Sequence, residues 1–439
     1  MVYFFLRLYF LPALVLWYRR VHTTNFHFWN KNKPTILAIN HPNAVMEPGI
    51  LLYLSWKIHQ KPLHFLTRGD AFHSKIGDAF LRHIKALPVY SIGEIEGSKH
   101  KNEVSYAGLY AAFKSENAHL EMAPEGITKI ERRLRELKKG IGWLAIKAVK
   151  EHDLDLEIVP MSVNFTYETR FRKEILLQAN QPINIKNYIQ NNANLTDNQL
   201  IELILTDLKM RLEEHMILVK KPENDEIAEL RLDIFRNELP ERQTYFNKIL
   251  IDDRQGIYLK AHQQALNNIE HDKEKTHLNR YLKTLESHNL TDFGVKNQPF
   301  SFIQNLFLYA GMPFFALAIV LHGLPILLTR LVMPKFRIMN GRPEFFASVL
   351  WCVFNTVNLF YYLMLLVVGV FVHWKMGFLL GITLVGLAVF SCFYYEIWQD
   401  SGEKWRFANL SKPIKKILTT QRSQVIETMR QTPKKSATV

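Results

Sequence analysis

Cysteine is scarce in this chain: only Cys352 and Cys392 occur among 439 residues, and each lies inside an apolar stretch. Two such residues provide neither a metal-ligand spacing nor a disulfide framework. Acidic residues are also fewer than basic ones, 41 against 55, so the formal net charge is +14. No nucleic-acid motif accompanies this charge, and the basic residues concentrate beside apolar segments. We therefore expect anionic lipid headgroups, and no nucleic acid, as the partner of the positive charge.

Two further absences narrow the function. The pattern G-x-S-x-G is missing, which disfavours a covalent serine mechanism of the hydrolase type. The apolar stretches also lack pairs of Asp, Glu, Lys or Arg, which mark ion paths through membranes. A transporter is therefore disfavoured as well.

Three stretches near the C-terminus contain no formally charged residue: Phe302–Thr329, Phe345–Trp374 and Met376–Tyr395. About 20 helical residues cross a hydrocarbon core, so each stretch is a candidate membrane span. Basic residues on both flanks predict a hairpin of residues 345–374 and 376–398 with two cytoplasmic ends. If the preceding α/β region is cytoplasmic too, residues 302–329 are expected to be re-entrant or broken near Gly311 and Pro313. The alternative is a periplasmic α/β domain.

The N-terminal stretch Met1–Trp17 is apolar and aromatic, with Arg7 as its charged residue, and Tyr18-Arg19-Arg20 follows. A signal peptide carries its positive charges first and ends in small residues. We therefore interpret residues 1–30 as a retained, membrane-associated helix. A full span is the alternative, which Arg7 and Pro12 disfavour.

Short β-rich runs alternate with helical patterns over residues 31–190, which predicts an α/β domain with a covered sheet. The expected strands are Thr35–Ile39, Pro62–Thr67, Ala86–Tyr90, His119–Ala123, Leu156–Val163 and Ile175–Gln178. The expected helices between them are Gly49–Gln60, Lys101–Lys114 and Leu137–His152. Charged sequence with regularly spaced leucines predicts a helical extension over residues 191–300. The apolar stretches predict a transmembrane region over 301–400, and the basic residues after them predict a cytoplasmic tail over 401–439.

The stretch Ile36–Pro48, ILAINHPNAVMEP, places His41 after an apolar run and Glu47 six residues later. A His beside a carboxylate is suited to removing a proton from an alcohol. The imidazole accepts the proton, and the carboxylate fixes its tautomer, which together contribute roughly 10²–10⁴-fold to a rate. A pair at this spacing also arises by chance, and the alternative is a solvated loop histidine.

Three further blocks follow: FLTRGD at Phe65–Asp70, MAPEGIT at Met122–Thr128 with Lys-Gly downstream, and IVPMSV at Ile158–Val163. With the NHPN opening of the first block, their order and spacing resemble those of glycerolipid acyltransferases, the family of lysophosphatidate and glycerol-3-phosphate acyltransferases. The resemblance covers roughly residues 30–190. It implies an acyltransferase-like mixed sheet covered by helices, with no cofactor and no metal.

The resemblance implies that His41 is the catalytic base and Glu47 its orienting acid. It implies a substrate-binding role for seven further residues: Asn43, Arg68, Pro124, Glu125, Gly126, Lys138 and Lys139. Five residues separate His41 from its acid, as in one branch of the family, whereas the common form of the motif has four. The chain departs from that branch because its acid is Glu in place of Asp. Ser91 and Thr128 stand where family members carry arginine.

These observations predict an O-acyltransferase in a membrane. The expected membrane is a bacterial inner membrane, with the α/β domain in the cytoplasm. It would move a fatty acyl group from acyl-CoA, acyl-carrier protein or acyl-phosphate to a hydroxyl of glycerol-3-phosphate or a lysophospholipid. Its partners would be that donor, a glycerolipid acceptor and membrane lipids. The alternatives are a non-catalytic lipid-binding scaffold and an acyltransferase for a non-phosphorylated acceptor. Glu47→Asp is expected to preserve or raise activity in an enzyme and to change nothing in a scaffold.

Overall fold

The computed structural model describes residues 6–90, 97–168, 170–245, 248–266, 272–296, 302–335 and 342–431. Ser91, the final residues of the tail and part of the Arg330–Glu344 loop lie outside these ranges.

One mixed sheet organises the first half of the chain. Its strands are β1 Tyr18–Thr24, β2 Thr35–Ile39, β3 Leu63–Arg68, β4 Ala86–Val89, β5 His119–Met122, β6 Glu157–Phe165, β7 Lys173–Ala179, β8 Ile183–Asn184 and β9 Leu250–Asp252. The order is β4-β3-β5-β2-β6-β7-β1-β9, with β8 beside β6. Strands β4, β3, β5, β2 and β6 are mutually parallel, so their carboxyl ends share one edge of the sheet. The predicted α/β fold is confirmed.

Strand β1 differs from the prediction of a membrane-associated helix over residues 1–30. The helix ends at Trp17, and the chain then enters the sheet beside β7. Two arginines in this strand are buried because each meets a buried carboxylate: Arg19 pairs with Glu396 at 3.2 Å and Arg20 with Glu174 at 3.0 Å. Paired charges are tolerated in a protein interior, whereas isolated ones are not.

Helices cover both faces of the sheet. The α-helices of the described residues, on the sheet and beyond it, are α1 Leu11–Trp17, α2 Met46–His59, α3 Lys75–His83, α4 Ser98–Glu116, α5 Gly140–Lys150, α6 Ile185–Asn191, α7 Asp197–Glu214, α8 Asp225–Glu238, α9 Ile257–Ala265, α10 Asp272–Ser287, α11 Asp292–Val295, α12 Phe302–Val332, α13 Phe346–Ala408 and α14 Lys412–Gln431. Strand β2 serves both layers, because Ile36 packs with α4, α5 and α7 whereas Leu37 packs with α1 and α2. This alternation explains why every residue of β2 is buried.

The C-terminal segment also differs from the prediction of a basic tail over 401–439. Residues Lys412–Gln431 form α14, which packs along α10. Leu418 and Val425 on α14 are fully buried in one cluster with Tyr281. Apolar residues at helical spacing give α14 a stripe that faces this core. Arg422 lies on the same side and pairs with the buried Asp292 at 2.7 Å, whereas Lys412, Lys416 and Arg430 are exposed.

Two stretches, Phe302–Lys335 and Pro343–Ala408, are long and apolar enough to cross a membrane. The break predicted in residues 302–329 is absent, since α12 runs continuously through Pro313 and Pro325. Proline at position 325 has no N–H to donate to the carbonyl of Leu321, four residues earlier. The hydroxyl of Tyr361 on α13 donates to that carbonyl instead, at 2.8 Å. This contact explains how the helix accommodates a proline.

Helix α13 reverses direction at His373, whose backbone is extended with φ −164° and ψ 113°. Its two arms pack closely: a Cβ built on Gly369 would lie 2.7 Å from Cα of Gly377. Both ends of this helical hairpin, residues 346–408, contact the α/β domain. Ser348 on the first arm and Glu396 on the second each bond to it.

Candidate active site

His41 lies just beyond the carboxyl end of β2, and its backbone is fixed on both sides. Its N–H donates to Oε1 of Glu125 at 3.0 Å, and its carbonyl accepts the N–H of Lys129 at 3.2 Å. The preceding residue, Asn40, is held by two hydrogen bonds between its amide and the backbone of Val163, at 2.9 and 2.7 Å. These contacts place the His41 ring at the edge of the sheet with 18% of the side chain exposed.

Glu47 is fully buried in the first turn of α2. Its Oε1 accepts the backbone N–H of Asn43, and its Oε2 lies 3.8 Å from Nδ1 of His41. Neither of the two facing atoms has a hydrogen-bond partner in the described residues. The predicted base and acid therefore face each other, at a separation slightly longer than a hydrogen bond.

The five residues between them fit because Ala44 adopts φ +33°. This left-handed conformation costs a non-glycine residue roughly 1–2 kcal/mol, so the turn is strained. The N–H of Met46 donates to the carbonyl of Asn43 at 2.9 Å, which closes the turn and starts α2. The chain thus makes this turn over five residues with Ala44 in the left-handed conformation.

Burial disfavours the charged form of both partners. It lowers the pKa of His41 from 6.5 to about 4 and raises the pKa of Glu47 well above its usual value. The backbone N–H groups of Glu47 and Asn43 oppose the second shift, whereas Glu121 and Glu168 add to it. His41 is therefore neutral at physiological pH, which is the form that accepts a proton.

Glu121 is a buried carboxyl that the sequence reasoning did not select. It pairs in register with Leu37 and so faces the same layer as α2. Burial raises its pKa to about 8, and its Oε2 has no hydrogen-bond partner in the described residues. A glutamate within an apolar strand carries no local signal of this position, because only the sheet register brings it near Glu47.

The Pro124–Gly126 turn follows β5 and encloses His41. Pro124 and Glu125 are buried, whereas Gly126 is exposed with φ +72°, a conformation suited to glycine. Besides the His41 N–H, the Glu125 carboxylate accepts the N–H of Arg135 at 3.1 Å. Burial raises the pKa of Glu125, and these two N–H groups oppose that shift. Glu125 thus joins the turn to His41.

The predicted substrate-binding residues fall into two groups. Asn43 and Glu125 are buried beside His41 with their side chains bonded to the protein, Asn43 to the carbonyl of Glu168. Three cationic side chains are exposed: Arg68, Lys138 and Lys139. Substrate binding by any of them remains a prediction.

The three exposed cations lie in different settings. Arg68 ends β3, two strands from β2 or roughly 10 Å away, and pairs with Asp70 at 3.0 Å. Lys139 pairs with Glu202 at 2.6 Å. Lys138 lies beside Gly126, where an added Cβ would be 3.5 Å from its Cγ. Lys138 is therefore the closest of the three to the turn that holds His41.

Arg132 and Arg133 contribute to the fold. The buried Arg132 pairs with the half-buried Glu229, and Arg133 pairs with Asp225 at 2.7 Å. Both partners lie on α8. These pairs attach the loop that follows the Pro124–Gly126 turn to the helical extension.

A buried serine of the helical hairpin also reaches the site. The N–H of Val45 donates to Oγ of Ser348 at 3.1 Å, and that hydroxyl lies 3.3 Å from Oδ1 of Asn43, to which it donates. A lone serine at the start of an apolar run gives no sequence signal of a contact across three hundred residues.

This arrangement supplies a neutral imidazole, a buried carboxyl facing one of its nitrogens and an exposed glycine turn, next to an apolar helix. It has the chemistry of a general base for an alcohol.

One family model and one solved structure are similar to parts of this chain. Residues 20–164, about a third of the chain, match the family model described as acyltransferase. The crystal structure of the 1-acyl-sn-glycerophosphate (LPA) acyltransferase PlsC from Thermotoga maritima is similar, with a TM-score of 0.33 and 13% identity. That similarity covers 46% of this chain and 78% of that one. None of the curated proteins matches the chain.

The family match spans all four blocks, which confirms the resemblance found in the sequence. Residues 20–164 form an acyltransferase-family domain. Acyl transfer is the activity that this match indicates for the domain.

Proposed function

We propose that this protein is a membrane-bound enzyme of phospholipid biosynthesis. It transfers a fatty acyl group from acyl-CoA, acyl-carrier protein or acyl-phosphate to a hydroxyl of glycerol-3-phosphate or a lysophospholipid. The observation that carries the proposal is the placement of a neutral His41 against buried Glu47, at the sheet edge and beside the apolar helical hairpin.

In the proposed reaction, His41 removes the proton of the acceptor hydroxyl as the oxygen attacks the donor's carbonyl carbon. The new C–O bond gives a tetrahedral oxyanion, and collapse of this intermediate breaks the bond to the thiolate or phosphate. The proton held by His41 then passes to that leaving group. Glu47 orients the imidazole, and its ionised form would stabilise the imidazolium against the burial that favours the neutral carboxyl.

A donor in the Pro124–Gly126 turn would stabilise the oxyanion; the N–H of Gly126 itself donates to the carbonyl of Ala123 at 3.1 Å. One well-placed donor contributes about 2.7–4 kcal/mol to such a step. Lys138 and Arg68 are the cations we assign to the acceptor's phosphate, because both are exposed at the sheet edge where β2, β3 and β5 end.

The helical hairpin and α12 would hold the domain at a bacterial inner membrane, with the domain in the cytoplasm. Both ends of the hairpin contact the α/β domain, which supports one common side for them. An acyl chain would then enter and leave beside the site without crossing water.

The test is acyl transfer by the full chain in lipid nanodiscs. Palmitoyl-CoA, palmitoyl-acyl-carrier protein and palmitoyl phosphate are each offered to glycerol-3-phosphate, to lysophosphatidate and to monoacylglycerol. We expect label in at least one of the two phosphorylated acceptors. Transfer only to monoacylglycerol would support the alternative of a non-phosphorylated acceptor. Lipid binding without transfer from any donor would support the scaffold alternative and contradict the proposal.

A further inference from the structure

The first turn of α13 lies directly against the turn that connects His41 to Glu47. Ser348 is fully buried there, and its hydroxyl bonds to residues on both sides of Ala44. It accepts the Val45 N–H on one side and donates to the Asn43 side chain on the other. The same hydroxyl thus bridges the strained position.

The residues it bridges also set the position of the acid. Asn43 donates its backbone N–H to Oε1 of Glu47, which leaves Oε2 facing the His41 ring. Val45 precedes α2 and accepts the N–H of Gly49 at 3.0 Å. A shift of this turn therefore moves the carboxyl relative to the imidazole.

The arm that carries Ser348 is itself fixed in the α/β domain. Trp351, one turn further, is buried in the layer that contains β2, with its ring 5.9 Å from Phe10. The carbonyl of Asn355 accepts the hydroxyl of Tyr9 at 3.2 Å. The first arm is thus part of the packed domain as well as the start of the hairpin.

We propose that Ser348 is a positioning residue for catalysis, which holds the His41–Glu47 turn in its strained conformation and makes the helical hairpin a working part of the active site. The inference rests on the proposed function, in which His41 is the base. The hairpin then has a second role besides attachment to lipid. Its packing against the α/β domain sets the position of the Glu47 carboxyl relative to His41.

The first test compares Ser348→Ala with wild type in nanodiscs, using the palmitoyl donor and the acceptor that are active in wild type. A misplacement near 1 Å costs about 10²-fold in rate, so we expect kcat to fall roughly 10–10²-fold with KM for both substrates little changed. Ser348→Thr keeps the hydroxyl and should recover much of the loss. Thr383→Val is the matched control, since the Thr383 hydroxyl bonds only to Leu379 of its own helix in the described structure.

The second test asks whether Ser348 acts through Glu47. In a double-mutant cycle, Ser348→Ala should cost little further activity once Glu47→Gln is present, because the acid it positions is already lost. A purely structural role would lower activity equally in both backgrounds. If Ser348→Ala fails to fold, Ser348→Cys, of similar size and weaker hydrogen bonding, replaces it in the cycle.

Wild-type activity in Ser348→Ala, or equal losses in both Glu47 backgrounds, would overturn this inference alone. Absence of transfer by wild type, or full activity of His41→Ala, would instead overturn the proposed function. The two failures are therefore distinguishable in one set of variants.

Discussion

The side chain of Glu125 accepts the backbone N–H of His41 at 3.0 Å and that of Arg135 at 3.1 Å. The carboxylate of the Pro124–Gly126 turn thus fixes the backbone of His41. This relationship connects the first and third sequence blocks through one residue and gives Glu125 a structural task at the site.

Glu125→Gln should therefore lower kcat more than it raises KM. The glutamine amide has one oxygen, so its NH₂ group would face one of the two N–H donors and release either His41 or Arg135. We expect a fall of about 10–10²-fold in kcat from the resulting displacement. Steady-state kinetics with varied acceptor check this. A rise in acceptor KM alone would point to direct substrate contact, as the sequence analysis predicted for this residue.

Glu47→Asp should reduce activity. The sequence analysis predicted preserved or raised activity, but in the structure the longer side chain extends towards His41 across 3.8 Å. Removing a methylene withdraws the carboxyl by about one C–C bond, ~1.5 Å, unless the strained turn relaxes. We expect kcat to fall by an order of magnitude or more. The exposed Glu103→Asp on α4 is the control. Equal or higher activity of Glu47→Asp would show that the turn adjusts.

Lys138 and Lys139 provide a neighbouring pair for testing recognition of the acceptor's phosphate. Lys138→Met should raise KM for glycerol-3-phosphate. The aliphatic part of the Lys138 side chain lies beside Gly126, in the turn whose Glu125 accepts the His41 N–H. Lys139→Met should change it less, because Lys139 pairs with Glu202 on α7. Kinetics at fixed donor concentration measure both effects. Equal effects, or a larger one for Lys139→Met, would exclude Lys138 from the phosphate site.

Burial of Glu121 should make the free energy of unfolding depend on pH. Its pKa is raised from 4.5 to about 8 in the fold, so between these values the unfolded chain loses a proton that the folded chain retains. Stability from this group is therefore lost as pH rises from about 5 to 8, by roughly 3 kcal/mol. Glu121→Gln should be stabilised relative to wild type at pH 8 far more than at pH 5. Denaturant midpoints in detergent measure this, and a pH-independent difference would contradict the assigned burial.

Much of the sheet was predictable from sequence, because its central strands are apolar runs bounded by polar turns. Thr35–Ile39 is recovered with the same bounds, and His119–Ala123 differs by one residue. Strand β1 was missed because Arg19 and Arg20 are typical of a surface anchor. Their partners Glu396 and Glu174 lie far along the chain, so only the folded structure explains their burial.

The site also contains residues that the sequence predicts and residues that only the fold brings there. His41, Glu47 and the Pro124–Gly126 turn were recognisable because their chemistry and spacing are local. Ser348 and Glu121 were not, since each joins the site through a long-range contact or a strand register. The strain at Ala44 was equally hidden: an unusual spacing indicates that a turn differs, but the backbone conformation that absorbs it depends on the surrounding packing.

The central claim is that His41 removes the proton from the acceptor hydroxyl. The most direct measurement is the acyl-transfer rate of His41→Ala beside wild type and the control His83→Ala, an exposed histidine on α3, with folding of each variant verified. We predict a loss of about 10²–10⁴-fold in kcat for His41→Ala and none for His83→Ala. A folded His41→Ala variant with wild-type activity would contradict the account.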